Sequence, residues 1–198
     1  VEEVKNEFSK FDMNKYKEVV FCGFGEPTER LDDVLEVCRF IKDKYNKTIR
    51  INTNGLADLI HKKNTAPMFD GLIDIVSISL NTPNKERYLE LTRSKFGIES
   101  FDAMIKFAEN VKHYVKEVVL TFDSDEAGIK AALRAIPYLK DAGIAIKVLS
   151  MKPYKDPDEF IKALGRDAYE ERIKNETNLL DFCVCRCCLL SGSGTECG

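Results

Sequence analysis

The sequence predicts an α/β fold in which alternating βα units build a mainly parallel sheet. Three observations predict it. Short runs rich in β-branched and apolar residues recur at 18–21, 48–53, 73–80, 117–122 and 144–149. Most of the segments between them place apolar residues at helical spacing. Polar turns at 23–28, 52–55, 79–84 and 123–126 follow the strands. Strand–helix alternation calls for parallel strands joined by right-handed crossovers. In such sheets ligands gather beyond the carboxyl ends of the strands, where all four turns fall.

Residues 1–16 are charged and predicted helical. The run Glu18–Phe21 ends in Cys22-Gly-Phe-Gly-Glu-Pro-Thr28. Thr28 is predicted to cap a helix in which Leu31, Val34, Leu35, Cys38 and Ile41 share one face. Cys22 on its strand and Cys38 on its helix are expected to pack in the core. Thr48–Thr53 closes in the turn Asn54-Gly55, and a short helix follows near 57–63. His61 on that helix has no His or Cys beside it in sequence, so no metal role is expected. The strand 73–80 leads through Asn81-Thr82-Pro83-Asn84 into a helix over Lys85–Leu91. Ser100 is predicted to cap a stronger helix with Phe101, Met104, Ile105, Ala108 and Val111 on one face. His113 at its end is expected as a solvated charge.

After the strand 117–122, Ile129, Ala132, Leu133 and Ile136 mark a helix, kinked at Pro137 and closed at Gly143. Asp156 is a predicted cap with Pro157 at the first helical position, and a last helix covers about 166–174. Residues 176–198 have no period and no core face. They hold five of the seven cysteines and are expected to be disordered.

The totals exclude several classes. A length of 198 residues suits one large or two small domains. The net charge of -3 gives no overall pull toward nucleic acid. No apolar run approaches the roughly 18 residues of a membrane span, so no membrane partner is expected. The start Val-Glu-Glu-Val-Lys has neither an initiator Met nor the apolar stretch of a signal peptide, so a fragment is expected. The cysteine pattern is not a secreted disulfide framework, and a cytoplasmic location is expected.

Asp123 and Asp125 stand one residue apart at a strand-to-helix corner. Such a pair can share Mg²⁺, which takes one or two carboxylates plus water and phosphate oxygens. It equally suits a helix N-terminus, where acidic side chains cap free amides.

Two resemblances meet near this corner. Phe21-Cys-Gly-Phe-Gly-Glu-Pro-Thr28, Ile51-Asn-Thr-Asn-Gly55 and Val76-Ser-Ile-Ser-Leu-Asn81 lie in order at strand ends. Over about 15–120 the chain thereby resembles a radical S-adenosylmethionine (SAM) protein of the type found alongside TatD-type nucleases. The resemblance implies a partial βα barrel that binds SAM and a [4Fe–4S] cluster. It implies that Gly25, Glu26 and Pro27 meet the SAM amino group, and that Asn52, Asn54, Ser79 and Asn81 line the ribose and carboxylate side. Turn chemistry alone also accounts for these Asn and Ser residues. The family's Cys-x3-Cys-x2-Cys cluster motif is absent, and Cys183, Cys185, Cys187 and Cys188 do not reproduce it. No residue is therefore assigned to iron–sulfur.

Thr121-Phe-Asp-Ser-Asp-Glu-Ala-Gly128, Ala131–Pro137, Val148–Pro153 and Lys155-Asp-Pro-Asp-Glu159 follow one another in turn. Over about 117–174 the chain thereby resembles the Toprim domain of bacterial primase. This implies Mg²⁺ or Mn²⁺ at Asp123 and Asp125 for nucleotidyl transfer, with Lys155 and Asp156 on the nucleic-acid or metal side. The Glu that Toprim enzymes carry on an earlier strand has no counterpart segment before Asp123. The expected organisation is a radical-SAM-like region at 1–116, a Toprim-like region at 117–175 and a tail at 176–198. An incomplete radical SAM-type protein joined to a primase-type fragment, inactive as given, is the expected function. The alternatives are a Mg²⁺-dependent Toprim nucleotidyl transferase and a non-catalytic module that binds nucleotide or nucleic acid.

Overall fold

The computed structural model describes residues 1–22, 25–82, 84–121, 145–147 and 157–174. Five strands form one all-parallel sheet: β1 (Glu18–Phe21), β2 (Thr48–Thr53), β3 (Ile75–Ser79), β4 (Glu117–Thr121) and β5 (Ala145–Lys147). The order is β1-β2-β3-β4-β5, so each strand pairs with its neighbours in sequence. The register sets Phe21 against Ile51, Thr53 against Ile78 and Ser79 against Thr121. Alternating βα units and a parallel sheet are what the sequence predicts.

Right-handed crossovers that always step the same way lay their helices on one face. Side chains alternate along a strand, so one set meets those helices. Ile49, Ile51, Val76, Ile78, Val118 and Leu120 form that set and lie in the buried core. They pack with Leu31, Leu35, Cys38 and Ile41 of α2 (Leu31–Tyr45) and with Met104, Phe107, Ala108 and Val111 of α5 (Glu99–Val111). On the opposite face near the β1 edge, Val20 and Asn52 are exposed, and Arg50 pairs loosely with Glu18 at 3.3 Å. The strand β4, where the two resemblances meet, has Val118, Val119 and Leu120 all buried. It is paired on both sides.

The remaining described helices are α1 (Glu2–Phe8), α3 (Ala57–His61), α4 (Lys85–Thr92) and α6 (Pro157–Lys174). The N-terminal segment is thus helical over seven residues, with a single 3-10 turn at Met13–Lys15. Phe8 holds α1 to α2 through edge contacts with Phe40 and Tyr45. α6 contains a non-helical Gly165 at φ 84°, which separates the two helical stretches predicted there.

Three local expectations are corrected. Thr28 does not cap α2; it is buried inside a 3-10 turn, Pro27–Arg30, which Glu26 caps instead. Ser100 lies inside the first turn of α5 and donates its hydroxyl to the Gly97 carbonyl at 2.6 Å rather than capping. Cys22 is exposed, not core. Alternation explains this, since Cys22 continues the face of exposed Val20. Cys38 is in the core as expected, and burial pushes its thiol up to about 12. His113 is exposed, as expected. The predicted kink at Pro137, the cap at Asp156 and the tail at 176–198 lie outside the described residues.

At the amino ends of the strands, Asp74 joins three of them. Its carboxylate accepts the Ile49 amide at 2.7 Å, ion-pairs with Lys116 at 2.7 Å, and meets the Lys42 ammonium. Its carbonyl accepts the Lys116 and Glu117 amides at 2.9 and 3.1 Å.

Gly55 closes the turn after β2 at φ +75°, where any Cβ is strained. A Cβ there would also sit 2.8 Å from Met104 Cγ and 3.0 Å from Ile78 Cγ2. Gly55→Ala is therefore expected to cost about 2–3 kcal/mol, read as a lower urea midpoint with an unchanged slope.

Candidate ligand cleft at the carboxyl ends of the strands

The loops after β1, β2 and β3 meet at one rim and enclose an open cleft of about 420 Å³. Cys22, Gly25, Glu26, Asn52, Thr53, Asn54 and Ser79 line it. β1 ends at Phe21, and the chain reaches Gly25 in a positive-φ conformation (+99°) before Glu26 starts the 3-10 turn.

The Glu26 carboxylate is the most heavily bonded group here. Its Oε1 accepts the Thr28 amide at 3.0 Å, the Thr28 hydroxyl at 2.7 Å and the Thr53 hydroxyl at 2.6 Å. Its Oε2 accepts the Asn54 amide at 2.7 Å. One side chain thus ties the loop after β1 to the end of β2. Thr53 in turn accepts the Gly55 amide at 3.1 Å, and Asn54 Oδ1 accepts the Leu56 amide at 2.9 Å. His61 Nε2 lies 2.6 Å from the Thr28 carbonyl, which gives this histidine a structural partner and no ligand set. Lys95 reaches back from the segment after α4 to Glu29 at 2.9 Å. Tyr88 of α4 is buried behind the site; burial, and then the nearby Glu26 carboxylate, push its hydroxyl above the ordinary value.

Of the residues predicted to meet SAM, Gly25, Glu26, Asn52, Asn54 and Ser79 come together in this cleft. Pro27 and Asn81 are not among its lining residues; Pro27 begins the 3-10 turn, and Asn81 sits just past β3 at φ 62°. Asp123, Asp125, Lys155 and Asp156 lie outside the described residues. Among the described residues no group of three His, Cys, Asp or Glu side chains could hold a metal ion. Nor is any helix among them long and apolar enough to cross a membrane.

Thr28 and Thr53 are the residues that motif reasoning missed. The period-2 pattern Ile49, Ile51, Thr53 was a legible signal, since it places a hydroxyl on the buried face at the strand end.

Comparison with known proteins bears on the chain from residue 68 to residue 161. Residues 68–161 match a family described as Toprim-like. The chain is 35% identical to a DNA primase of Clostridium acetobutylicum over 79 residues, which are 40% of this chain and 13% of that protein. It is 37% identical to a DNA primase of Thermotoga maritima over 71 residues, 36% of this chain and 13% of that protein. A DNA primase of Enterococcus faecalis is 28% identical over 112 residues, 56% of this chain and 16% of its own length. The chain therefore spans under one fifth of these relatives. The matched stretch begins well before 117 and takes in β3, α4 and α5, while the radical SAM resemblance of residues 15–120 draws no support from these comparisons. Residues 68–161 are Toprim-like and related to a segment of bacterial DNA primases.

Proposed function

We propose that this chain carries a Toprim-type site for Mg²⁺ or Mn²⁺ at Asp123 and Asp125 and binds nucleotides or nucleic acid there. The match of residues 68–161, shared with the bacterial primases, is the observation that carries the proposal. The donor set fits a hard cation, which prefers carboxylate and phosphate oxygens. Such an ion would neutralise phosphate charge and orient an attacking hydroxyl. β4 ends at Thr121, at the same rim as β1–β3. Lys155 and Asp156 are assigned to the nucleic-acid side.

Nucleotidyl transfer by this chain alone is not part of the proposal. Of the two strands beside β4, β3 carries Ser79, Leu80, Asn81 and Thr82 at its carboxyl end, with no acidic side chain. The Glu26 carboxylate is bonded at the end of β2, two strand spacings from β4, or about 10 Å at 4.7–4.9 Å each. Titrating Mn²⁺ by electron paramagnetic resonance tests the site. Wild type should hold one ion that the double variant Asp123→Asn with Asp125→Asn loses; equal binding by both would overturn the assignment.

A second reading has its own observation, the cleft in which Gly25, Glu26, Asn52, Asn54 and Ser79 converge. Under it, the cleft takes the amino-acid end of SAM, with the Glu26 carboxylate receiving the ammonium. The described residues do not fit an iron–sulfur cluster. Three soft thiolates are needed, whereas among the described residues Cys38 is buried as a protonated thiol and Cys22 is the one cysteine at the rim. No radical step follows from this chain. We also propose that the protein works in the cytoplasm.

A further inference from the structure

We infer that Thr53 is a positioning residue that aims the Glu26 carboxylate at a ligand ammonium group; this rests on the second reading above. The Gly55 amide donates to Thr53 Oγ1 at 3.1 Å, and Thr53 donates to Glu26 Oε1 at 2.6 Å. A hydroxyl has one proton. The Gly55 amide engages one of its lone pairs, so that proton is committed to Glu26.

Thr53 is 4% exposed and Thr28 fully buried, so neither hydroxyl has water as an alternative partner. With the Thr28 amide and hydroxyl at 3.0 and 2.7 Å, Glu26 Oε1 is saturated by three donors. Among the described residues, Oε2 takes only the Asn54 amide, at 2.7 Å. A carboxylate oxygen accepts about two hydrogen bonds, so Oε2 keeps one acceptor site. Among the described residues no cationic side chain pairs with Glu26. A carboxylate held by the neutral donors Thr28, Thr53 and Asn54, in a cleft of amides and hydroxyls, is complementary to an N–H cation. Thr53 sets the rotamer that presents it, and the Gly55 turn sets Thr53.

Isothermal titration with two probes tests this. S-adenosylhomocysteine carries the ammonium; 5′-methylthioadenosine has the same nucleoside and thioether without it. Thr53→Val preserves side-chain shape and removes the donor. It should weaken S-adenosylhomocysteine binding about tenfold, the scale of one charge-assisted hydrogen bond. Thr53→Ser should restore it, and methylthioadenosine should bind all three proteins alike. Unchanged S-adenosylhomocysteine binding by Thr53→Val would overturn the positioning role. So would an equal loss of both probes, which marks a merely structural residue. If wild type binds neither probe, the cleft reading fails and takes this inference with it.

Discussion

Replacing Asp74 with alanine is expected to lower the unfolding free energy by about 3–4 kcal/mol, the scale for breaking one side of a buried ion pair. The Asp74 side chain is 8% exposed, and its carboxylate is shared by the Lys116 and Lys42 ammonium groups and the Ile49 amide. Alanine strands the buried Ile49 amide and leaves Lys42, itself 19% exposed, with the Lys47 carbonyl as its remaining partner. Asp74→Asn should cost less, because it keeps an acceptor for the amide. Chemical denaturation of the three proteins measures the series.

A pH dependence goes with it. Burial pushes the Asp74 carboxyl up, but Lys116, Lys42 and the Ile49 amide outweigh burial and hold it below its ordinary value of 3.8. The folded state therefore binds its proton less readily than the unfolded state does. The stabilisation is complete above the unfolded value and is lost as pH falls below 3.8 and through the folded one. The advantage of wild type over Asp74→Asn should stay constant from pH 7 to pH 5 and shrink toward pH 3. An advantage that grew on acidification would contradict the assigned partners.

Phe107→Ala is expected to cost about 3–5 kcal/mol, the range for removing a fully buried aromatic ring. Phe107 is 0% exposed on α5 and meets Phe69 edge-on, with ring centroids 5.7 Å apart at 67°. Alanine opens a cavity between α5 and the 3-10 turn Ala66–Phe69 and removes that aromatic contact. Phe107→Leu should recover most of the loss, since it refills much of the volume. In a protein of this size each kcal/mol moves Tm by roughly 2–4 °C, so thermal melts should separate the two variants.

Much of the architecture was legible because each level of the sequence pointed the same way. Runs such as Thr48–Thr53 gave the strands, and the faces of α2 and α5 gave the helices and the core. Local chemistry was less legible where a longer side chain displaced a shorter one. Thr28 has the composition of a cap, yet Glu26, two residues earlier, reaches the same amide. The flanks of Cys22 are apolar, but strand alternation exposes it. The convergence of Gly25, Glu26, Asn52, Asn54 and Ser79 could be read from their places at strand ends. The part played by Thr53 could not, because it depends on which strand lies beside the Glu26 loop. Asp74 was invisible for the same reason; its partners lie 25, 32 and 42 residues away in the chain.

The Asp74 clamp and the cleft sit at opposite ends of the same strands, about 16 Å apart from Ile49 to Asn54 at 3.3 Å per residue. What latches the sheet shut is thus physically remote from what would touch a visitor. Loops at the working rim can be swapped, lengthened or inherited from another lineage without prying the strands loose at their base.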